Sequence, residues 1–144
     1  MSKTFETIIV DPQDHLTWIT LNRPQVANAF NTQMAEELLE VFSDFVSGSR
    51  QARCIILTGS GDRAFCAGGD LKQRHGMSDE AWYAQHVVFE DLARALIDCP
   101  APLLGAINGA AFGGGTELTL ACDFAYAASH ARFALTETTL GIMP

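Results

Sequence analysis

The hydrophobic positions change their period several times along the chain, and each change predicts an element. Phe5, Thr7 and Ile9 alternate with polar neighbours, as the inward residues of a half-buried strand do. Asp11-Pro-Gln-Asp14 predicts a turn and Leu16 to Leu21 a second strand, so residues 4–21 are expected to form an antiparallel hairpin. Asn22-Arg-Pro24 breaks it. Met34, Leu38, Val41 or Phe42, and Phe45 then recur at helical spacing behind a cap at Asn31 or Thr32, and Gly48 closes that helix. Cys54-Ile-Ile-Leu-Thr58 is a short branched run, the pattern of a strand buried on both faces. Ser78 caps a longer helix with Asp79 and Glu80 in its first turn. Its inward stripe is Trp82, Gln85 or His86, Phe89, Leu92 or Ala93, and Leu96; Trp82 or His86 is alternatively a pocket wall. Pro100-Ala-Pro102 ends it, since a helix rarely continues through the residue before a proline. Leu103 to Ile107 is the next buried strand, and residues 123–127 and 132–134 are two further short ones. Strands interleaved with helices predict an α/β fold, and the length suits one domain over 1–144.

Composition narrows the function. Acidic residues number 17 against 9 basic, a net charge of −8, which argues against a nucleic-acid partner that needs a clustered basic face. No apolar run approaches membrane-spanning length, and the N-terminus lacks the charged-then-apolar layout of a signal peptide. Cys54, Cys66, Cys99 and Cys122 are scattered without a CxxC pair and read as buried thiols in a reducing, cytoplasmic setting. His15, His75, His86 and His130 show no metal-ligand spacing, so no metal is expected.

Two glycine-rich stretches carry the candidate chemistry. Gly113-Gly-Gly115 stands directly before a short helical pattern, with Glu117 in its first turn. Glycine lets the backbone approach a ligand closely, and the first N–H groups of a helix lack partners inside it. An anion, or an oxygen that becomes one, suits such a place. The alternative is a tight turn packing a helix on a strand. The second stretch, Ala67-Gly68-Gly69-Asp70-Leu71-Lys72, has N–H groups free to point at a ligand and Lys72 as the nearest cation; its alternative is a loop with two turn glycines. Gly59-Ser-Gly61-Asp-Arg-Ala64 formally matches a dinucleotide fingerprint. That motif needs a helix beginning at the glycines, and Phe65-Cys-Ala-Gly-Gly-Asp70 does not look like a helix start.

With two acids, Glu117 and Glu137, these stretches make a chemical proposal. A thioester carbonyl held between one N–H from each glycine site can accept charge as an enolate, each fixed donor contributing roughly 3 kcal/mol. Carboxylates beside the α and β carbons then shuttle protons or orient a water. Neither a metal nor a redox cofactor is required.

The segments Ala64-Phe-Cys-Ala-Gly-Gly-Asp-Leu-Lys72, Asn108-Gly-Ala-Ala-Phe-Gly-Gly-Gly-Thr-Glu117-Leu and Ala134-Leu-Thr-Glu137-Thr-Thr-Leu-Gly-Ile-Met-Pro144 resemble the enoyl-CoA hydratase/isomerase (crotonase) superfamily. Leu21-Asn-Arg-Pro24 and Asn28-Ala-Phe fit its N-terminal pattern, so the likeness spans residues 5–144. The resemblance implies a spiral of repeated β-β-α units, assembled as trimers or dimers of trimers. It implies that Gly69 and Gly114 supply the oxyanion-hole N–H groups, although many members carry alanine where Gly69 stands. It makes Glu117 and Glu137 the catalytic pair, Glu117 activating the water and Glu137 exchanging the Cα proton. It places Ala67, Gly68, Gly69, Asp70 and Leu71 along coenzyme A, with Lys72 and Arg23 near its phosphates. Coenzyme A comes as part of the substrate, and no other cofactor is implied.

Because both glutamates are present, hydration of an enoyl-CoA is the expected reaction. Double-bond isomerisation is the alternative within the family, and a non-catalytic acyl-CoA-binding or assembly piece the alternative outside it. Asp70-Leu-Lys-Gln-Arg-x-x-Met-Ser78 also resembles the methylglutaconyl-CoA hydratase branch. Members are about twice as long as this chain. They continue past the proline equivalent to Pro144 into helices that close the acyl pocket, so the sequence is expected to be an N-terminal part.

Overall fold

The computed structural model describes residues 4–141 and Met143. Met1 to Lys3, and Ile142 and Pro144 of the closing motif, lie outside the described residues. The chain opens with the expected hairpin, β1 (Ile8–Gln13) antiparallel to β2 (Leu16–Leu21). Its details differ from the periodicity reading. Asp11 to Gln13 belong to the strand, and the reversal is made by Asp14 and His15, with Asp14 at a φ of 49°. The inward phase also slips: Thr7 is buried, but Ile8 rather than Ile9 faces the core. A polar residue at position 7 takes an inward place because its N–H and hydroxyl both reach the Glu37 carboxylate.

The helix α1 (Thr32–Ser47) follows, capped by the Asn31 side chain on the Met34 N–H at 3.0 Å and ended by Gly48 in the left-handed region. Met34, Leu38, Val41, Phe42 and Phe45 are all buried along its inner face.

From there the chain repeats one unit. β3 (Cys54–Gly59) leads to β4 (Ala64–Cys66), β5 (Leu103–Ile107) to β6 (Ala110–Phe112), and β7 (Phe124–Ala127) to β8 (Phe133–Ala134). The first strand of each pair joins a five-stranded sheet in the order β1-β2-β3-β5-β7, parallel from β2 onward. The second joins a parallel three-stranded sheet, β4-β6-β8. After β4 come a single turn, α2 (Leu71–Arg74), and the long α3 (Asp79–Ile97); after β6 comes α4 (Gly114–Leu120); after β8 comes a 3-10 turn, Thr136–Leu140. This is the β-β-α spiral that the resemblance implied. β3 is less enclosed than predicted: Ile55 and Leu57 are fully buried, but Ile56 and Thr58 on its other face only in part.

Two asparagines tie the bends between paired strands together. Asn28, fully buried, gives its amide hydrogens to the carbonyls of Ser60 and Ala64, each at 3.0 Å, and accepts from the Arg23 N–H at 2.9 Å. Asn108 donates to the carbonyls of Gly59 and Gly61 at 2.8 and 2.7 Å and accepts from the Gly59 N–H at 3.1 Å. The Gly59 region is therefore a hydrogen-bonded corner between two strands. No helix starts there, which removes the structural context of the dinucleotide fingerprint.

On α3, Ser78 caps through the Ala81 N–H at 3.2 Å, and Gln85, Leu92, Ala95 and Leu96 are buried. Trp82 and His86 are not part of that stripe; they stack on each other at 5.3 Å, about half exposed. All four cysteines are free thiols, only Cys66 being fully buried. Among the described residues, no helix is long and apolar enough to cross a membrane.

Candidate active site

The short sheet sets the site. β4, β6 and β8 run parallel, with Cys66 beside Ala111 and Phe112 beside Ala134. Each strand therefore delivers the residues just past its C-terminal end to the same place. Those residues are Gly68-Gly69 after β4, Gly113-Gly114 after β6 and Glu137 after β8. The Thr116 hydroxyl lies 2.7 Å from the Ala111 carbonyl and 3.0 Å from that of Ala134, fastening α4 across two of the strand ends.

The two glycine stretches touch. A Cβ on Gly68, whose φ is +93°, would stand 2.7 Å from the Phe112 carbonyl oxygen and 3.6 Å from the Gly114 nitrogen. Phe30 bonds both neighbours of Gly69: its N–H donates to the Gly68 carbonyl at 2.7 Å, and its carbonyl accepts from the Asp70 N–H at 2.9 Å. The Gly69 N–H between them donates to no protein atom among the described residues, and neither does that of Gly114 at the start of α4.

A cleft of about 610 Å³ opens over these amides. Gly69, Gly114, Glu117 and Glu137 all line it, with an apolar wall from Phe30, Phe89, Leu96 and Leu118. The Glu117 Oε2 would be 3.7 Å from a Cβ on Gly114. Burial, and after it the charge of Glu137, push the Glu117 carboxyl above its ordinary 4.5, against the opposing influence of Arg74. Glu137 Oε2 is buried and makes no hydrogen bond among the described residues.

The other predicted binding residues lie outside the cleft wall. Ala67 is exposed, Gly68 is buried beneath the cleft, and Leu71 and Lys72 face solvent. Asp70 is not a loop residue but the N-cap of α2, a helix start that the glycines before it concealed; its carboxylate accepts from the Lys72 and Gln73 N–H groups. It also pairs with Arg23 at 2.9 Å, and the same Arg23 nitrogen donates to the Ala29 carbonyl at 2.6 Å. Trp82 and His86 do not line the cleft.

Sequence reasoning missed Arg74, which does line it. The signal was Asp70: as a cap it starts a turn of helix that returns residue 74 to the level of Gly69. Cys66, beneath the site, is fully buried, and burial pushes its thiol up to about 11. Among the described residues no group of three or more His, Cys, Asp or Glu side chains is placed to hold a metal ion.

Comparison with known proteins identifies the family and the fold. The family model described as enoyl-CoA hydratase/isomerase matches residues 11–144. The chain is 43% identical to YngF of Bacillus subtilis over 91% of its own length and 50% of that protein's. It is 34% identical to a crotonyl-CoA hydratase of Syntrophomonas wolfei, covering 97% of this chain and 54% of the relative. The crystal structure of an enoyl-CoA hydratase from Bacillus anthracis superposes with a TM-score of 0.90 at 43% identity, over 96% of this chain and 54% of that one. The chain thus spans about half the length of the relatives it matches.

Proposed function

The chain belongs to the enoyl-CoA hydratase/isomerase family, and on that premise we propose that it adds water across the α,β-double bond of an enoyl-CoA thioester. The observation that carries this reading is the pair of main-chain N–H groups, Gly69 and Gly114, unpartnered among the described residues and on one cleft with Glu117 and Glu137. The thioester oxygen rests between the two amides. As hydroxide adds to Cβ, charge moves onto that oxygen, and the fixed donors meet it without reorganising; losing one such donor typically costs about 3 kcal/mol. Glu117 takes a proton from the water that attacks Cβ. Glu137 exchanges the proton at Cα, a role that suits an oxygen without a partner among the described residues. The proton that Glu117 takes from water balances the one Cα receives. The acyl chain follows the apolar wall of Phe30, Phe89 and Leu96. Coenzyme A belongs to the substrate, and the chemistry asks for no further cofactor.

The reading extends to a homotrimer or dimer of trimers, on the family resemblance, and to a reducing, cytoplasmic setting, with whose reducing character the free thiols are consistent. For the methylglutaconyl-type acyl group, the segment from Asp70 to Ser78 is the sole support. The test is the enoyl-thioester absorbance of crotonyl-CoA. Hydration abolishes it, and Glu117→Gln and Glu137→Gln are each expected to slow the loss by about 10²–10⁴-fold. Migration of the double bond with no hydroxyacyl product would instead identify an isomerase, and tight acyl-CoA binding without turnover a binding piece.

A further inference from the structure

Arg74 is the one cation among the cleft-lining residues described, which also include three acids, Glu117, Asp123 and Glu137. Its position is built. The Arg74 Nε donates to the Gln85 Oε1 at 3.3 Å, and the guanidinium lies over the Phe89 ring at 5.8 Å. Gln85 is 3% exposed, and its amide orientation is fixed by its other partners. Its Nε2 donates to Thr32 Oγ1 at 2.7 Å and to Gln73 Oε1 at 3.1 Å, so the oxygen faces Arg74. Gln73 Oε1 in turn accepts from the Thr32 N–H at 2.9 Å. One partly buried network thus joins the start of α1, the turn α2 and the middle of α3, and ends on the arginine.

Its charge sits beside the reacting groups. The Arg74 Cζ would be 3.5 Å from a Cβ on Gly69, while Glu117 Oε2 would be 3.7 Å from a Cβ on Gly114. A cation thus stands beside one open amide and an anion beside the other. The charged groups around Glu117 are Arg74 from α2, Glu137 from the C-terminal 3-10 turn and Asp123 ahead of β7. The α3 side of the cleft brings only uncharged side chains and the Cys99 thiol.

We propose that Arg74 is a positioning residue for Glu117, held by Gln85 so that its charge keeps the Glu117 carboxylate ionised in an otherwise acidic and apolar cleft. Burial and Glu137 both oppose ionisation there, and Arg74 is the influence in its favour. The inference rests on the hydratase reading only for what the ionised group does.

The test follows the Glu117 carboxyl carbon by NMR in the whole 144-residue chain labelled with ¹³C-carboxyl glutamate, assigned with Glu117→Gln. In Arg74→Gln its midpoint is expected to rise by about one pH unit, and in Arg74→Lys to recover at least part of the way. Gln85→Met leaves the charge but releases its anchor, and is expected to shift the midpoint the same way by less. It is the second reading should Arg74→Gln not fold. If hydration is measured, the acid limb of kcat moves up with the midpoint. An unmoved midpoint in the folded variants overturns the inference, as does a uniform loss of kcat at every pH. The failures separate cleanly: a shifted midpoint in a protein that does not hydrate crotonyl-CoA sinks the hydratase reading and leaves this one, and hydration with an unmoved midpoint does the reverse.

Discussion

The Glu137 carboxylate occupies the space that a side chain on Gly113 would fill. The backbone there has a φ of +49° and a ψ of −121°, a conformation that disfavours any residue with a Cβ. Gly113→Ala is therefore expected to lose roughly 1–3 kcal/mol of stability through backbone strain, and to push Glu137 from its place. Hydration should fall at least 10²-fold, as expected for losing a positioned acid. Thermal unfolding and crotonyl-CoA turnover check the two halves separately; a variant as active as the parent would show that Glu137 is not held there.

Asn28→Ala leaves the Ser60 and Ala64 carbonyls and the Arg23 N–H without their buried partner. The expected cost is about 3 kcal/mol, read as a fall in urea midpoint at unchanged m-value. A loss below about 0.5 kcal/mol, within the range of an ordinary surface change, would mean that these bends hold without the clamp.

The fold was legible where packing decides it. The inner face of α1 could be read from spacing alone because all of its apolar positions meet one core. β4 and β6 were not legible: three-residue strands leave no period, and their glycines look like loop. Trp82 misled because a large apolar residue at helical spacing need not face inward; here it stacks on His86 outside. Motif resemblance singles out Gly69, Gly114, Glu117 and Glu137, and all four line one cleft. That they meet follows from the register of the small sheet, which joins segments some seventy residues apart. Arg74 escaped because its importance lies in Gln85, eleven residues on, and in the cap that Asp70 makes.

Stability should depend on pH through Asp70 and Glu37. Burial pushes the Asp70 carboxyl up, but the Arg23 hydrogen bond and the Gln73 and Lys72 N–H groups outweigh it and hold it below 3.8. Burial likewise opposes Glu37, and the Thr7 hydroxyl with the Glu6 and Thr7 N–H groups holds it below 4.5. Both folded values are lowered, so their stabilisation is present above those ordinary values and is lost as pH falls through the lowered ones. Asp70→Asn is expected to cost about 1–2 kcal/mol at neutral pH and to flatten the decline of stability below pH 3.8. Urea midpoints taken across the acid range for both proteins check it; parallel curves would remove Asp70 from the account.

Ile97 and Leu120, on the cleft rim, are 74% and 73% exposed, and Tyr126 on β7 is 71% exposed. Apolar surface of this kind binds apolar dyes. The 144-residue chain is expected to enhance anilinonaphthalene sulfonate fluorescence while folded, and Leu120→Gln to reduce it with little change in Tm. Dye fluorescence unaffected by that substitution would place the bound dye elsewhere.

Gly69 and Gly114 offer main-chain hydrogens to the cleft, and a hydrogen of that kind is not written in any one codon. A Cβ on Gly69 would meet nothing closer than the Arg74 Cζ at 3.5 Å, so alanine fits there and the donor is inherited unchanged. The steric demand falls instead on Gly68 and Gly113, whose positive φ angles of 93° and 49° bend the chain so that their neighbours' N–H groups reach the cleft.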